Sequence, residues 1–242
     1  MQLFYNPDIL DSETFQKSNE IIFDKEESRH IVKVLRMKVG HTFKITNGKG
    51  SFFNAEILNA NPKGCLVKIL SEEKQQPLPY QLHLAVAPTK LNDRYEWFLE
   101  KATEIGISEI TPIICDHSER KVIKPERYEK IVQSAAKQSL KAYLPLLNPA
   151  VSFKDFMILE SKSKGLKCIA HCEETDRKSL KSLLLPKQRV TILIGPEGDF
   201  STEEVVLAKR HGFIPVTLGK SRLRTETAAI AACHSVAFVN EV

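Results

Sequence analysis

The stretch Val190-Thr-Ile-Leu-Ile-Gly195-Pro-Glu-Gly-Asp-Phe200-Ser201 decides how this chain folds. The run of apolar and β-branched residues from Val190 to Ile194 suits a strand buried on both faces, the habit of parallel sheets covered by helices. It stops at Gly195-Pro196, and Ser201 with Glu204 three residues later offers a capping box for a helix. Strand, glycine-bearing turn and capped helix in direct succession are the repeating step of an open α/β sheet, where ligands gather beyond the carboxyl ends of the strands. Pro196 has no N–H to donate and Glu197 repels phosphate, so the turn does not suit a nucleotide triphosphate. It suits a nucleoside or a cation, which pair with backbone groups and a carboxylate; the plainer reading is a tight strand-to-helix turn.

The same step recurs downstream. A strand over Ile214–Leu218 leads into Gly219-Lys-Ser-Arg-Leu-Arg-Thr-Glu-Thr-Ala228 and then an alanine-rich helix. Lys220, Arg222, Arg224 and Glu226 crowd a segment that enters a helix N-terminus, which favours anions. This makes a clamp for a carboxylate or phosphate; alternatively Thr225 and Glu226 only cap the helix and the basic residues face solvent. The final helix is apolar around most of its circumference, which requires burial by its own domain or by a twofold partner.

Upstream, Leu82–Ala87, Ile110–Cys115 and Cys168–His171 are further buried strands. Helices are predicted over Asp93–Ile105, with an Asp93/Glu96 capping box and a stop at Gly106, over Pro125–Tyr143 and over Thr202–His211. The first strand is followed by Ala87-Pro-Thr-Lys90 and not by a glycine-rich turn, which argues against a Rossmann-type site and directs attention to the later loops.

Ser71 to Pro79 is polar, charged and closed by two prolines, and it reads as a linker. The division is therefore 1–72, a linker at 73–79, and 80–242. In the first part Thr42–Thr46, Ser51–Leu58 and Cys65–Leu70 are strand-like and separated by Asn47-Gly48 and Asn61-Pro-Lys-Gly64 turns. Asp24 and Glu27 cap one helix, on which Arg29, Lys33 and Arg36 share a face. That face fits a phosphate backbone and equally fits a solvated helix surface.

The formal charge is +5, a mild excess that suits a polyanionic partner without requiring one. The 5 cysteines are scattered, with no C-x-x-C pair, and read as reduced thiols. His171 beside Cys172 is better explained by strand packing than by a metal, and no metal site is expected. No apolar run reaches the roughly 20 residues that span a bilayer and no signal segment opens the chain, so the reading is a cytoplasmic protein without membrane attachment.

Ile194-Gly-Pro-Glu-Gly198 and Leu223-Arg-Thr-Glu-Thr-Ala228, with Thr103-Glu-Ile-Gly106, Ala136-Lys-Gln-Ser139 and His30-Ile-Val-Lys-Val-Leu-Arg36, closely resemble the RsmE family of ribosomal RNA uracil-N3 methyltransferases in the SPOUT superfamily. The resemblance covers nearly the whole chain. It implies an α/β C-terminal domain with a mostly parallel sheet and a trefoil knot, rare among proteins at large, preceded by a small PUA-like RNA-binding β-barrel. It implies S-adenosylmethionine as cofactor, a homodimer, and 16S ribosomal RNA or the 30S subunit as substrate. The cofactor would lie among Ile194, Gly195, Pro196, Glu197, Gly198, Leu218, Gly219, Leu223, Arg224, Thr225, Glu226, Thr227 and Ala228. Arg29, His30, Lys33, Arg36, Lys141 and Arg222 are the RNA-binding candidates. The chain departs from the family pattern at Asp199, commonly glycine, at Lys141, commonly arginine, and at Arg222, commonly isoleucine.

Uracil N3 carries a proton, so its methylation needs a base, and it needs positive groups for the anion that forms. Glu226 is the first candidate for the base or for a carboxylate that pairs with the cofactor, Glu197 is the second, and Arg224 is the candidate cation. Because N3 sits on the Watson–Crick edge, the target must be unpaired or flipped. Two other readings keep the same sequence features: a methyltransferase for another RNA base, or an RNA-binding assembly factor that retains a cofactor pocket.

Overall fold

The computed structural model describes residues 2–9, 19–172 and 176–241. The chain forms two compact units, one of Met1–Pro77 with Gln133–Leu144, the other of Leu78–Val132 with Pro145–Val242.

Among the described residues the first unit holds β1 (Leu3–Tyr5), β2 (Glu20–Ile22), α1 (Lys25–Arg29), β3 (Thr42–Thr46), β4 (Ser51–Asn59) and β5 (Leu66–Lys74) in one sheet of order β1-β3-β4-β5-β2. β1 runs parallel to β3 and the other pairs are antiparallel. β4 shows why: Phe53, Ala55 and Ile57 are fully buried while Phe52, Asn54 and Glu56 between them are not, the period-two pattern of a sheet with one covered face. The covered face packs on Phe4, Phe23, Ile31 and Phe43. Asn47 Oδ1 accepts the amides of Lys49 and Ser51, which shapes the turn before β4.

Three sequence expectations change here. β5 continues to Lys74, pairing Ser71–Lys74 with Asn54–Ser51, so the polar composition of the expected linker marks an exposed strand end as well as a connection. Asp24 caps α1 as expected, its side chain accepting the Glu27 amide. The helix then widens into a π-turn over His30–Val34, and Arg36 lies beyond it at φ 54°, so Arg29, Lys33 and Arg36 do not form one helical stripe. Finally, the helix begun at Pro125 ends at Gln138 and not at Tyr143, since Leu140 adopts φ 54°. The returning segment joins the first unit: Ala142 O accepts from Gly50 N and Thr46 Oγ1, and Leu144 N donates to Gly48 O.

In the second unit lie β6 (Gln81–Val86), α2 (Asn92–Ile105), β7 (Glu109–Ile114), α3 (Pro125–Gln138, whose last turns belong to the first unit), β8 (Leu146–Leu147), β9 (Val151–Ser152), α4 (Phe153–Glu160), β10 (Leu166–Ala170), β11 (Lys178–Ser179), β12 (Arg189–Ile194), α5 (Thr202–Arg210), β13 (Ile214–Thr217) and α6 (Thr225–Asn240). The sheet order is β11-β13-β10-β12-β6-β7-β8, with β9 also on β7, and the described pairs are parallel. Along β6, Leu82, Leu84 and Val86 face the core formed with α2 and α6, and Ala85 faces the core formed with α4 and α5. Both faces being covered explains the unbroken apolar runs, each fully buried leucine contributing about 1.5–3 kcal/mol.

The expected strands are present with boundaries shifted by a residue or two. α4 was not anticipated, although Ser152 caps it by accepting the Asp155 amide. The Asp93/Glu96 capping box is not formed. The residue before α2 is Leu91, and the Glu96 carboxylate is taken by Arg127 and Asn92 instead.

Candidate functional site

The carboxyl ends of β6, β7, β10, β12 and β13 place their following loops at one end of the sheet of the second unit. The loop after β12 is the most tightly built. A Cβ on Gly195 would lie 3.1 Å from the Phe200 ring, and one on Gly198 would lie 3.0 Å from His117 Cβ, so a side chain at either position would press on its neighbour. Asp199 N donates to Pro196 O at 3.0 Å. Asp199 itself sits at φ 62°, a conformation that glycine takes freely and aspartate tolerates. Its Oδ2 accepts the Cys172 amide at 2.7 Å, which ties the end of β10 to this loop. The capping box of Ser201 and Glu204 is formed. Burial raises the Glu204 carboxyl above its usual range, against the pull of amide donation from Ser201 and Asp116.

Neighbouring loops brace the turn. His117 Nδ1 lies 3.1 Å from the carbonyl oxygens of Gly198 and Asp199, an arrangement that requires Nδ1 to carry the proton. Glu197 Oε1 accepts the Lys90 amide at 2.9 Å. Arg120 in turn donates to Thr89 O at 3.0 Å and Lys90 O at 2.8 Å. The turn of Gly195–Phe200 is therefore fixed from three sides.

The loop after β13 is looser. Lys220, Ser221, Arg222 and Arg224 are exposed, and Gly219 takes φ 148° in open space. Its link to the first loop is Thr225, buried, whose Oγ1 donates to Gly195 O at 3.0 Å. Between the loops lie two adjoining cavities of 370 and 530 Å³, with Cys172, Asp199, Arg222 and Leu223 in the wall of both. That size and the mixture of apolar walls with a few convergent charges suit a small organic ligand. A groove of 720 Å³ between the first turns of α4 and α5 is larger, but its Asp116 and Glu204 are already engaged with Ser201 and with each other's loop.

Of the cofactor candidates, Ile194, Gly195, Pro196, Glu197, Leu218, Gly219, Leu223, Arg224, Thr225 and Ala228 line these cavities. Gly198 packs on His117 instead, and Thr227 is exposed on α6. Glu226 is buried, outside the cavity lining, with Oε1 3.9 Å from Arg94 Nε. Arg222, assigned above to RNA, stands in the cavity wall. Arg29, Lys33 and Arg36 are exposed and His30 is half-buried in the first unit, where Lys141 also lies. Sequence reasoning missed Arg94, Ala170, Cys172 and Arg177, which line the cavities. They sit at or beyond the carboxyl ends of β6 and β10, where the rule for open sheets points, but only the sheet order shows those ends to be adjacent to β12 and β13. Burial and the Asp199 charge raise the Cys172 thiol, against the pull of Arg222 and Arg177. No group of three or more His, Cys, Asp or Glu among the described residues is placed to hold a metal ion, and no helix of the described residues is long and apolar enough to cross a membrane.

The RNA methyltransferase domain family matches residues 76–237, and the RNA methyltransferase PUA domain family matches residues 23–70. The chain is 33% identical to the ribosomal RNA small subunit methyltransferase E of Buchnera aphidicola subsp. Acyrthosiphon pisum, over 88% of this chain and 86% of that protein. A crystal structure from Porphyromonas gingivalis, of a probable rRNA-methyltransferase, superposes with a TM-score of 0.89 at 40% identity, covering 99% of this chain and 98% of the other. The ribosomal RNA small subunit methyltransferase E of Neisseria gonorrhoeae, solved bound to S-adenosyl methionine, superposes with a TM-score of 0.84 at 27% identity over 99% and 98% of the two chains. With a family match across most of the second unit and a relative of this similarity along nearly the whole length, the chain belongs to the RNA methyltransferase family.

Proposed function

We propose that this protein transfers a methyl group from S-adenosylmethionine to N3 of a uridine in 16S ribosomal RNA, within the assembled 30S subunit. The observation that carries the reading is the joined pair of cavities between the loops after β12 and β13, closed by the Thr225–Gly195 hydrogen bond and flanked by Glu197 and Arg224. These residues fit the cofactor. Ile194, Leu218, Leu223 and Ala228 offer apolar walls, Gly195 and Gly219 let backbone groups approach, and Asp199 and Glu197 complement a positively charged ligand. When bound, S-adenosylmethionine supplies a methyl carbon made electrophilic by its sulfonium.

The chain's own residues then have three tasks. Glu197, with Oε1 held by the Lys90 amide, keeps Oε2 for the proton that N3 gives up. Arg224, exposed at the start of α6, steadies the negative charge that develops on the uracil oxygens. Glu226, our first candidate for the base from sequence, is buried without surface at Oε2 and takes a supporting place. Residues 1–72 serve as a PUA-like RNA-binding module, in which Arg29, His30, Lys33, Arg36 and Lys141 contact RNA, with Arg222 doing so at the cavity mouth. The methyltransferase domain lies within residues 80–242, apart from the segment 133–144 that joins the first unit, with its C-terminal chain threaded as a trefoil knot and its apolar α6 supporting a homodimer. The protein works in the cytoplasm.

The test is transfer of labelled methyl to 30S particles and to deproteinised RNA, both lacking the modification, with nucleoside analysis of the product. The reading predicts N3-methyluridine with the wild type and none with Arg224→Ala. Cofactor binding without label in any RNA would sink it.

A further inference from the structure

The first turn of α6 holds a carboxylate that its surroundings only half satisfy. Glu226 is 6% exposed, and its Oε2 has no hydrogen-bond partner. Its Oε1 lies 3.9 Å from Arg94 Nε, close enough for charge attraction but too long for a hydrogen bond. A buried carboxylate is costly unless a cation and the helix N-terminus compensate it, and here Arg94 and the first turn of α6 do so. Arg94 stands in the first turn of α2 with its side chain 32% exposed, and it lines the 370 Å³ cavity together with Glu197 and Arg224. Glu226 does not reach that cavity. The arginine side chain thus connects a buried anion to the place where the acceptor base would sit.

We infer that Arg94 is a further catalytic residue of the methyl transfer and that Glu226 is its positioning residue. The inference rests on the methyl-transfer reading above. Uracil carries a carbonyl oxygen on each side of N3, and the cavity presents three guanidinium groups, Arg94, Arg222 and Arg224, of which Arg94 has the buried Glu226 carboxylate behind it. As the N3 proton passes to Glu197 Oε2, negative charge spreads onto both oxygens. The pair of electrons left on N3 forms the bond to the methyl carbon while the carbon–sulfur bond breaks and leaves its electrons on sulfur. Arg94 keeps its charge throughout and lowers the cost of the anion; a guanidinium stays protonated at any working pH. The same geometry selects uracil over cytosine, whose amino group would meet a cation where uracil presents an oxygen.

The experiment is a set of Arg94→Met, Arg94→Lys, Glu226→Gln and Arg94→Met/Glu226→Gln variants, measured for single-turnover transfer across pH, for cofactor binding by calorimetry and for thermal stability. Arg94→Met should lose about 100-fold in rate, with cofactor affinity nearly unchanged. Without the cation the bound uracil gives up its proton less readily, so the alkaline rise of the rate should move to higher pH. A merely structural role would lower the rate and leave that midpoint in place. Arg94→Lys should recover part of the rate and part of the shift. Arg94→Met should also lower the melting temperature by stranding Glu226, and the double variant should regain stability but not transfer. An unmoved midpoint, or a double variant that regains both, overturns the inference. If the wild type binds cofactor yet makes no N3-methyluridine, the methyl-transfer reading fails and takes this one with it, whereas wild-type transfer with an unmoved midpoint in Arg94→Met overturns this inference alone.

Discussion

The two loops that enclose the cavities are built in opposite ways. Gly195–Phe200 is held by His117, by the Lys90 and Cys172 amides and by the capping box of Ser201, and its two glycines are pressed against neighbouring side chains. Gly219–Arg224 follows a short strand, exposes its charges and is fastened at its ends, by Thr217 contacts to Gly219 and by Thr225 to Gly195. One wall is preorganised, the condition under which fixed charges act most strongly on a reaction. The other wall retains freedom to adapt, as segments with few buried contacts do. A site that must hold one small cofactor and also admit a base from a large RNA gains from having one wall of each kind.

This contrast can be broken by substitution. The largest effect is expected at Glu197, which gives a charge to the cavity and a brace to the Lys90 loop. Glu197→Ala should lower kcat by roughly 10²–10⁴-fold, the usual range for a lost acid–base group, with melting temperature almost unchanged because the residue is exposed. Wild-type kcat in this variant would move the proton acceptor elsewhere.

Next is Asp199→Ala, which keeps the strained φ of 62° and loses the Cys172 tie. It should cost about 2–3 kcal/mol by denaturant titration. Asp199→Gly should cost less, since it relieves the backbone while losing the same bond. Equal losses in the two would mean that the backbone conformation is not under strain there.

A pair of alanine substitutions compares the walls directly. Gly195→Ala pushes a methyl group into the Phe200 ring and should cost about 1–3 kcal/mol together with cofactor affinity. Gly219→Ala meets no atom within 4 Å and should cost only backbone strain, about 1 kcal/mol, with affinity less affected. The reverse ranking would show the second loop to be the rigid one.

The smallest effect is a slope. Glu204 has its folded pKa raised above the unfolded 4.5, so the folded state holds the extra proton between the two values. Stability from this group is therefore present at the acid side of that window and falls as pH rises through it. Glu204→Gln should flatten this fall in urea midpoints measured from pH 4 to pH 7. An unchanged slope would show that the amides of Ser201 and Asp116 offset the burial fully.

How far the sequence could be read follows from the range of the interactions involved. The strands of the second unit were legible because both their faces are buried, so each appears as an apolar run. The loops after β12 and β13 were legible because glycine, proline and charges are dense there. The Asp93/Glu96 cap was misread because Arg127, on another helix, competes for the Glu96 carboxylate. Arg94 was invisible because its meaning depends on Glu226, far along the chain. Asp199 was visible as a departure from the family pattern, but its tie to Cys172 was not.

The return of Gln133–Leu144 to the first unit has a consequence for how the protein is made. Synthesis from residue 77 to residue 144 takes on the order of several seconds at ordinary elongation rates. Until then Gly50 and Gly48 lack the backbone partners that Ala142 and Leu144 provide. The N-terminal sheet is therefore an unfinished module while much of the methyltransferase unit is still being translated, and a gene fragment ending at the apparent boundary would encode a domain missing its last piece.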